Sequence, residues 1–192
     1  MNRHFNHISE HSSHIYIADY TQQAKQTKSA RGVKIRNVPF TDIKFCTVNN
    51  PRNIECWGVN FEKNPNVFKS EDTNSSVSQC ECMIVSKNAQ KKGWVCLMEL
   101  KYCLEKNIKR NSGGAFNQLV SCFDYLIGKG IIDLKKHRVY FNISIPDHSS
   151  KQPFNSFSFS QDKIIDLKRT KSIQFLGFNE IKILDEGYLT KA

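Results

Sequence analysis

Two apolar runs separated by a polar turn stand out in the middle of the chain, "QCECMIVS" and "WVCLMELKY" around "KNAQKKG". Apolar runs of this length on either side of a polar turn predict a long-stranded hairpin. Upstream, "VKIRNVPFTDIKFCTV" and "IECWGVNF" alternate as strands over 33–62 around the turn signal Asn49-Asn50-Pro51, and 63–78 is an Asn- and Ser-rich loop. Downstream, "AFNQLVSCFDYLIGKG" repeats with helical period: Ala115, Leu119, Cys122, Phe123 and Leu126 form one stripe, and Gly128 supplies a stop. "HRVYFNISIP" then predicts a core strand, "QDKIIDLKRTK" a short helix after the loop "FNSFSFS", and "SIQFLGFNEIKILDEG" a terminal hairpin. At the start, "IYIADYTQQAKQTKSA" predicts an amphipathic helix over 15–30, ending near Gly32. No internal repeat interrupts this order.

The pattern divides the chain into an N-terminal tail and helix, 1–32, and a single domain, 33–192. The domain core spans roughly 50–145, and a C-terminal helix and hairpin occupy 160–192. At 192 residues the chain suits one hydrophobic core of ordinary size. The mixture of strands and helices predicts an α/β class with a mixed sheet.

Within the second strand one detail resists an apolar reading. Strand alternation puts Val95, Leu97, Glu99 and Lys101 on one face and Cys96, Met98 and Leu100 on the other. A charge buried without a partner is costly, so the strand needs one. Glu81 faces opposite to Cys80 and Cys82, so the hairpin brings it beside Glu99 and Lys101, with the register left open. Two close carboxylates repel unless a proton or cation lies between them, and hard oxygen ligands suit Mg²⁺ or Mn²⁺. A lysine beside such a cation can hold an attacking water or offset charge on a phosphate. The plainer alternative is an exposed Glu/Lys pair on an edge strand, unrelated to Glu81.

These residues carry a resemblance. "CE" at 80–81, seventeen intervening residues, "ELK" at 99–101 and a helix bearing Gln118 resemble the catalytic core of the PD-(D/E)XK nuclease superfamily over roughly residues 50–145. The resemblance implies a restriction-endonuclease-like core, a central mixed β-sheet flanked by helices, and Mg²⁺- or Mn²⁺-dependent hydrolysis of phosphodiester bonds in DNA, with RNA left open. Carried over residue by residue, it implies that Glu81 and Glu99 bind the metal, that the main-chain carbonyl of Leu100 assists, and that Lys101 is the catalytic lysine. Gln118 takes the polar position on the helix. An upstream acid is expected in some members; Glu55 and Glu62 are the candidates, with Glu55 preferred. The first acid is Glu where the superfamily usually has Asp, and it follows Cys80 where Pro is usual. A catalytically inactive relative that binds nucleic acid or a protein partner through its basic face therefore remains the alternative. Pairing as a homodimer, as in many nucleases that cut both strands, is left open.

Charge strengthens the nucleic-acid expectation. The net charge is +10, and from Lys101 to Lys171 there are 13 Lys/Arg against 6 Asp/Glu, so most of the excess follows the "ELK" strand. Lys106, Lys109 and Arg110 precede the helix as expected phosphate contacts, and Asn111, Ser112 and the pair Gly113-Gly114 read either as an anion-holding helix start or as a flexible lead-in. Of the cysteines, Cys80, Cys82, Cys96 and Cys103 fall in the hairpin, but their spacing fits no iron–sulfur pattern and predicts buried thiols. Trp57, Trp94, Phe157 and Phe159 are expected mostly in the core. His4, His7, His11 and His14 would share a face on a helix, yet their Ser-rich setting predicts a terminal tail. No apolar run approaches the ~20 residues of a membrane span, and no signal peptide is evident, so the cytoplasm is the expected compartment.

Overall fold

The computed structural model describes residues 3–23, 32–68, 78–148 and 157–192. In chain order the elements are β1 (Ile8–His11), β2 (Ile15–Asp19), the short helix α1 (Tyr20–Gln23), β3 (Val33–Arg36), β4 (Cys46–Asn49), β5 (Cys56–Asn60), β6 (Cys82–Ser86) and β7 (Gly93–Leu100). They continue with α2 (Ile108–Gly128), β8 (His137–Ser144), α3 (Gln161–Lys171), β9 (Ile173–Phe175), β10 (Glu180–Asp185) and β11 (Tyr188–Lys191). The strands build two mixed sheets, ordered β1-β5-β6-β7-β8-β9 and β11-β10-β4-β2-β3. The class is α/β.

The predicted hairpin is β6–β7, antiparallel with Cys82 opposite Met98. Helix α2 then carries the chain over to β8, which pairs parallel to β7 from Gly93↔His137 to Leu100↔Ser144. A parallel pair needs such a crossover. β7 therefore lies inside the six-stranded sheet, buried along its whole length, which explains why both of its faces are apolar. Val95, Leu97, Met83, Val85, Phe141 and Ile143 pack under Ala115, Leu119, Cys122 and Leu126 of α2. On the opposite face, Cys82, Ile84, Trp94, Cys96 and Met98 pack against Ile15, Ile17, Val48, Ile181 and Ile183 of the second sheet. The central sheet is thus covered by a helix on one face and by a sheet on the other, where helices were expected to flank it.

Three local expectations give way to longer-range pairing. The segment predicted as a helix over 15–30 begins as β2, because Ile15, Ile17 and Asp19 alternate inward and pair with β3 and β4; only Tyr20–Gln23 is helical, and 24–31 lie outside the described residues. The histidine-rich start is not a free tail. β1 pairs with β5, and His11 is buried between Ser9 (2.7 Å) and Asn37 (2.9 Å). The predicted terminal hairpin is divided: β9 joins β8 in the larger sheet, whereas β10 pairs with β11 and, in parallel, with β4 in the smaller.

The stripe on α2 is as predicted, but the helix starts at Ile108 and runs through Asn111-Ser112-Gly113-Gly114. Ser112 Oγ accepts a hydrogen bond from the Ser158 amide (3.1 Å) and donates to the Lys109 carbonyl (3.0 Å). A Cβ at Gly113 would stand 3.1 Å from Ser158 Oγ. The first glycine thus admits a close neighbour inside the helix, and Asn111–Gly114 form neither an anion-holding start nor a flexible lead-in, because they are already within the helix.

Candidate metal centre at the end of the hairpin

Strand register places the acids. Cys82 pairs with Met98, so Glu81 falls opposite Glu99 just beyond the ladder, and its amide donates both to the Met98 carbonyl and to Glu99 Oε2, each at 3.1 Å. Glu99 is fully buried. Its Oε1 meets Lys101 Nζ at 2.5 Å and receives no other hydrogen bond. Lys101, in turn, is anchored by its amide to the Ser144 carbonyl (2.9 Å) as β7 leaves the sheet. Both charges of "ELK" therefore point to one face, and Glu81 joins them.

Two further carboxylates come from other strands. β5 ends beside the start of β6, with Asn60 opposite Cys82, and the Phe61 amide bonds the Glu81 carbonyl (3.3 Å). The next residue, Glu62, therefore lies at the site, its Oε2 accepting from the Val33 amide (3.0 Å) and its Oε1 from Thr21 Oγ1 (3.3 Å). Gly32, at φ +77°, sits in the left-handed region that favours glycine, and a Cβ there would also displace Glu62 Oε2. Asp19 ends β2, and the Tyr102 hydroxyl accepts its amide (3.2 Å) while donating to the Lys44 carbonyl (2.7 Å). Its Oδ1 accepts from the Thr21 amide (2.7 Å); its Oδ2 is buried with no hydrogen-bond partner.

Carboxylate oxygens of Asp19, Glu62 and Glu81 lie within 4.8 Å of one another. Burial, followed by the charges of Glu99 and Asp19, pushes the Glu81 carboxyl up to about 9 against the pull of Lys101. Burial raises Glu99 to about 7, held down by Lys101 and the Glu81 amide. Without a cation, Glu81 and a share of Glu99 keep their protons at neutral pH. A divalent cation would take their place, since a buried, unpartnered Asp19 oxygen and several hard oxygen donors are what such an ion seeks.

The other sequence candidates divide. The Leu100 main chain lies at the same end of β7, directly after Glu99. Gln118 is half-buried on α2, one turn before Cys122, whose Sγ lies 3.6 Å from Cys80 Sγ; this stretch of helix therefore packs on the strand bearing Glu81, though no described contact ties Gln118 to the acids. Lys106, Lys109 and Arg110 are exposed on the 3₁₀ turn and the first turn of α2. Glu55 does not join the site. It precedes β5 at the opposite end of the β5–β6 ladder, about 20 Å from Glu81 by strand rise, where it bonds Asn88 and lies 4.0 Å from Lys87. Glu62, two residues past the end of β5, is the upstream candidate that lies beside Glu81, and Asp19 was missed. The signal for Glu62 was its position just past the strand end that meets Glu81; for Asp19 it was the alternating "IYIAD".

Cys80 belongs to the core beneath α2, while Cys82 and Cys96 belong to the core between the sheets. Trp94 is buried and Trp57 half-buried. Among the described residues, no helix is long and apolar enough to cross a membrane. Comparisons with protein families, curated proteins and solved structures each found no match.

Proposed function

We propose that the chain is a divalent-metal-dependent nuclease that hydrolyses phosphodiester bonds in DNA, built on a restriction-endonuclease-like core. The observation that carries this reading is the meeting of Asp19, Glu62, Glu81 and Glu99 with Lys101 at one strand end, including a buried carboxylate oxygen that lacks a partner. The element order supports it too. Antiparallel β5, β6 and β7, then α2, then β8 parallel to β7, is the order that the resemblance to the PD-(D/E)XK superfamily requires.

In this reading Glu81, Glu99 and Asp19 hold Mg²⁺ or Mn²⁺, with Glu62 at the exposed rim. Such a cation, when bound, supplies a water of lowered pKa and offsets charge gathering on the phosphate. Lys101 is the chain's own contribution to the reacting phosphate. Glu99 fixes its ammonium, which can orient the attacking water or stabilise the negative charge that develops as the bond to the leaving oxygen breaks. Lys106, Lys109 and Arg110 offer exposed cations to the flanking backbone.

The test is cleavage of plasmid and single-stranded DNA with Mg²⁺ or Mn²⁺, comparing wild type with Glu99→Ala and Lys101→Ala. Cleavage that needs the cation and disappears in both variants is expected. If wild type cuts no better than the variants, the enzyme reading is lost; binding without cutting then favours the nucleic-acid-binding scaffold.

A further inference from the structure

Beside the carboxylates lies a cavity of about 480 Å³, between the edge strand of each sheet, β1 and β3. Its floor is Gly58 of β5. A Cβ there would lie 2.8 Å from Ser9 Oγ, 2.9 Å from His11 Nε2 and 3.1 Å from Ile35 Cγ2, so only glycine keeps the two edges this close. The walls bring Lys34, Arg36 and Lys63 together with Tyr20, Phe40 and Asn60, and no Asp or Glu lines the cavity. All three cations are exposed. The Arg36 guanidinium lies 3.6 Å from the centre of the Phe40 ring, held there by a hydrogen bond to the Pro39 carbonyl (3.0 Å), and the Tyr20 ring stands 6.1 Å from Phe40.

The cavity wall is linked to the acidic cluster through the chain itself. Tyr20 follows Asp19, Lys63 follows Glu62, and the amide of Val33, another wall residue, bonds Glu62.

We infer that this cleft binds one strand of single-stranded nucleic acid, seating a nucleotide next to the bond to be cut. The inference rests on the nuclease reading for its placement beside a reacting phosphate. Charge supports it, since three cations without an acid favour a polyanion. Shape narrows the choice further. A duplex presents grooves that convex elements enter, whereas a concave cleft with a stacked guanidinium–aromatic pair suits an unstacked base and its phosphates.

The experiment is fluorescence anisotropy of labelled single strands, deoxy and ribo, and of the matching DNA duplex, with EDTA present so that no cleavage occurs. Single strand should bind at least roughly tenfold more tightly than duplex, with a slope of log K against log salt near about −2 if three phosphates are neutralised. Lys34→Glu with Lys63→Glu should weaken single-strand binding on the order of tenfold or more. Lys91→Glu with Lys135→Glu, at the other end of the sheet, should leave it unchanged. The deoxy and ribo arms decide which sugar the cleft accepts. Equal affinity for duplex, equal loss in both double variants, or no binding would overturn the inference; circular dichroism checks that each variant is folded. The two readings fail separately. Binding that maps to the cleft without metal-dependent cleavage removes the nuclease reading alone. Single-strand cleavage undiminished in Lys34→Glu/Lys63→Glu removes the cleft alone.

Discussion

The two ends of the β5–β6–β7 meander carry the same kinds of charged residue and treat them in opposite ways. At the far end Lys87 lies 3.1 Å from Glu10 and 4.0 Å from Glu55, with the two acid side chains 66% and 53% exposed. At the near end Lys101 lies 2.5 Å from Glu99, with side-chain exposures of 14% and 0%, and Asp19, Glu62 and Glu81 crowd around them. Exposed pairs are screened by water and are nearly neutral in energy; buried carboxylates without full pairing are expensive. A fold gains nothing in stability by gathering acids in its interior, and the proposed metal site would account for the near end. The far end needs no explanation beyond solubility.

The largest expected separation between the ends is in activity. Glu99→Ala or Lys101→Ala should lower metal-dependent DNA cleavage on the order of 10²-fold or more, as loss of a charge-stabilising group does elsewhere. Glu55→Ala and Lys87→Ala should retain the wild-type rate. Initial rates on a fluorescent substrate would show it, and a comparable loss at the far end would erase the distinction.

Metal affinity should divide the acids similarly. Asp19→Asn should weaken Mn²⁺ binding on the order of tenfold, because affinity follows the number of charged ligands, while Glu55→Gln should change nothing. Calorimetric titration distinguishes these outcomes. Equal heats for wild type and Asp19→Asn would remove Asp19 from the centre.

How much of this was legible in sequence follows from which pairings are local. Glu81, Glu99 and Lys101 could be placed together because strand alternation has period two and a short turn joins β6 to β7. The stripe of α2 was equally plain. Asp19 was hidden: "IYIAD" alternates like a strand, but the following "YTQQAKQ" favours a helix, and only pairing with β3 and β4, distant in sequence, decides for the strand. Preference for Glu55 over Glu62 failed for a simpler reason. Antiparallel pairing sends the start of β5 to the end of β6, which takes Glu55 away from Glu81. Gly113 and the division of β9 from β10 depend on Ser158 and β8, contacts that no local pattern announces.

A smaller effect should appear in stability against pH, measured without divalent cations. The folded Glu81 carboxyl holds its proton up to about 9, against an ordinary value of 4.5, so between those limits the native state binds more protons than the unfolded chain. Its contribution is therefore fully favourable below the lower limit and is lost as pH rises through the upper one. Glu81→Gln should melt close to wild type at pH 5 and several degrees higher at pH 8, given that about 1 kcal/mol moves the midpoint of a chain this size by about 2–4 °C. Mn²⁺ should raise the wild-type midpoint at pH 8 more than that of Glu81→Gln. Parallel curves for the two proteins across this range would mean that Glu81 ionises freely and the near end is no more buried than the far one.

The smallest effect is expected at the far end, and it is the control on which the comparison depends. Lys87 serves two acids at once, Glu10 and Glu55, and its ammonium stands 6.0 Å from the centre of the Trp57 ring. By contact alone it is better connected than Lys101. Water nevertheless reaches both carboxylates, so removing the lysine leaves no charge stranded. Lys87→Ala should shift the thermal midpoint by less than about 3 °C, and 0.5 M salt should shrink the difference further by screening what remains. A much larger loss, unaffected by salt, would show that the far end is also a buried charge cluster, and that gathering acids at a strand end says nothing about function in this fold.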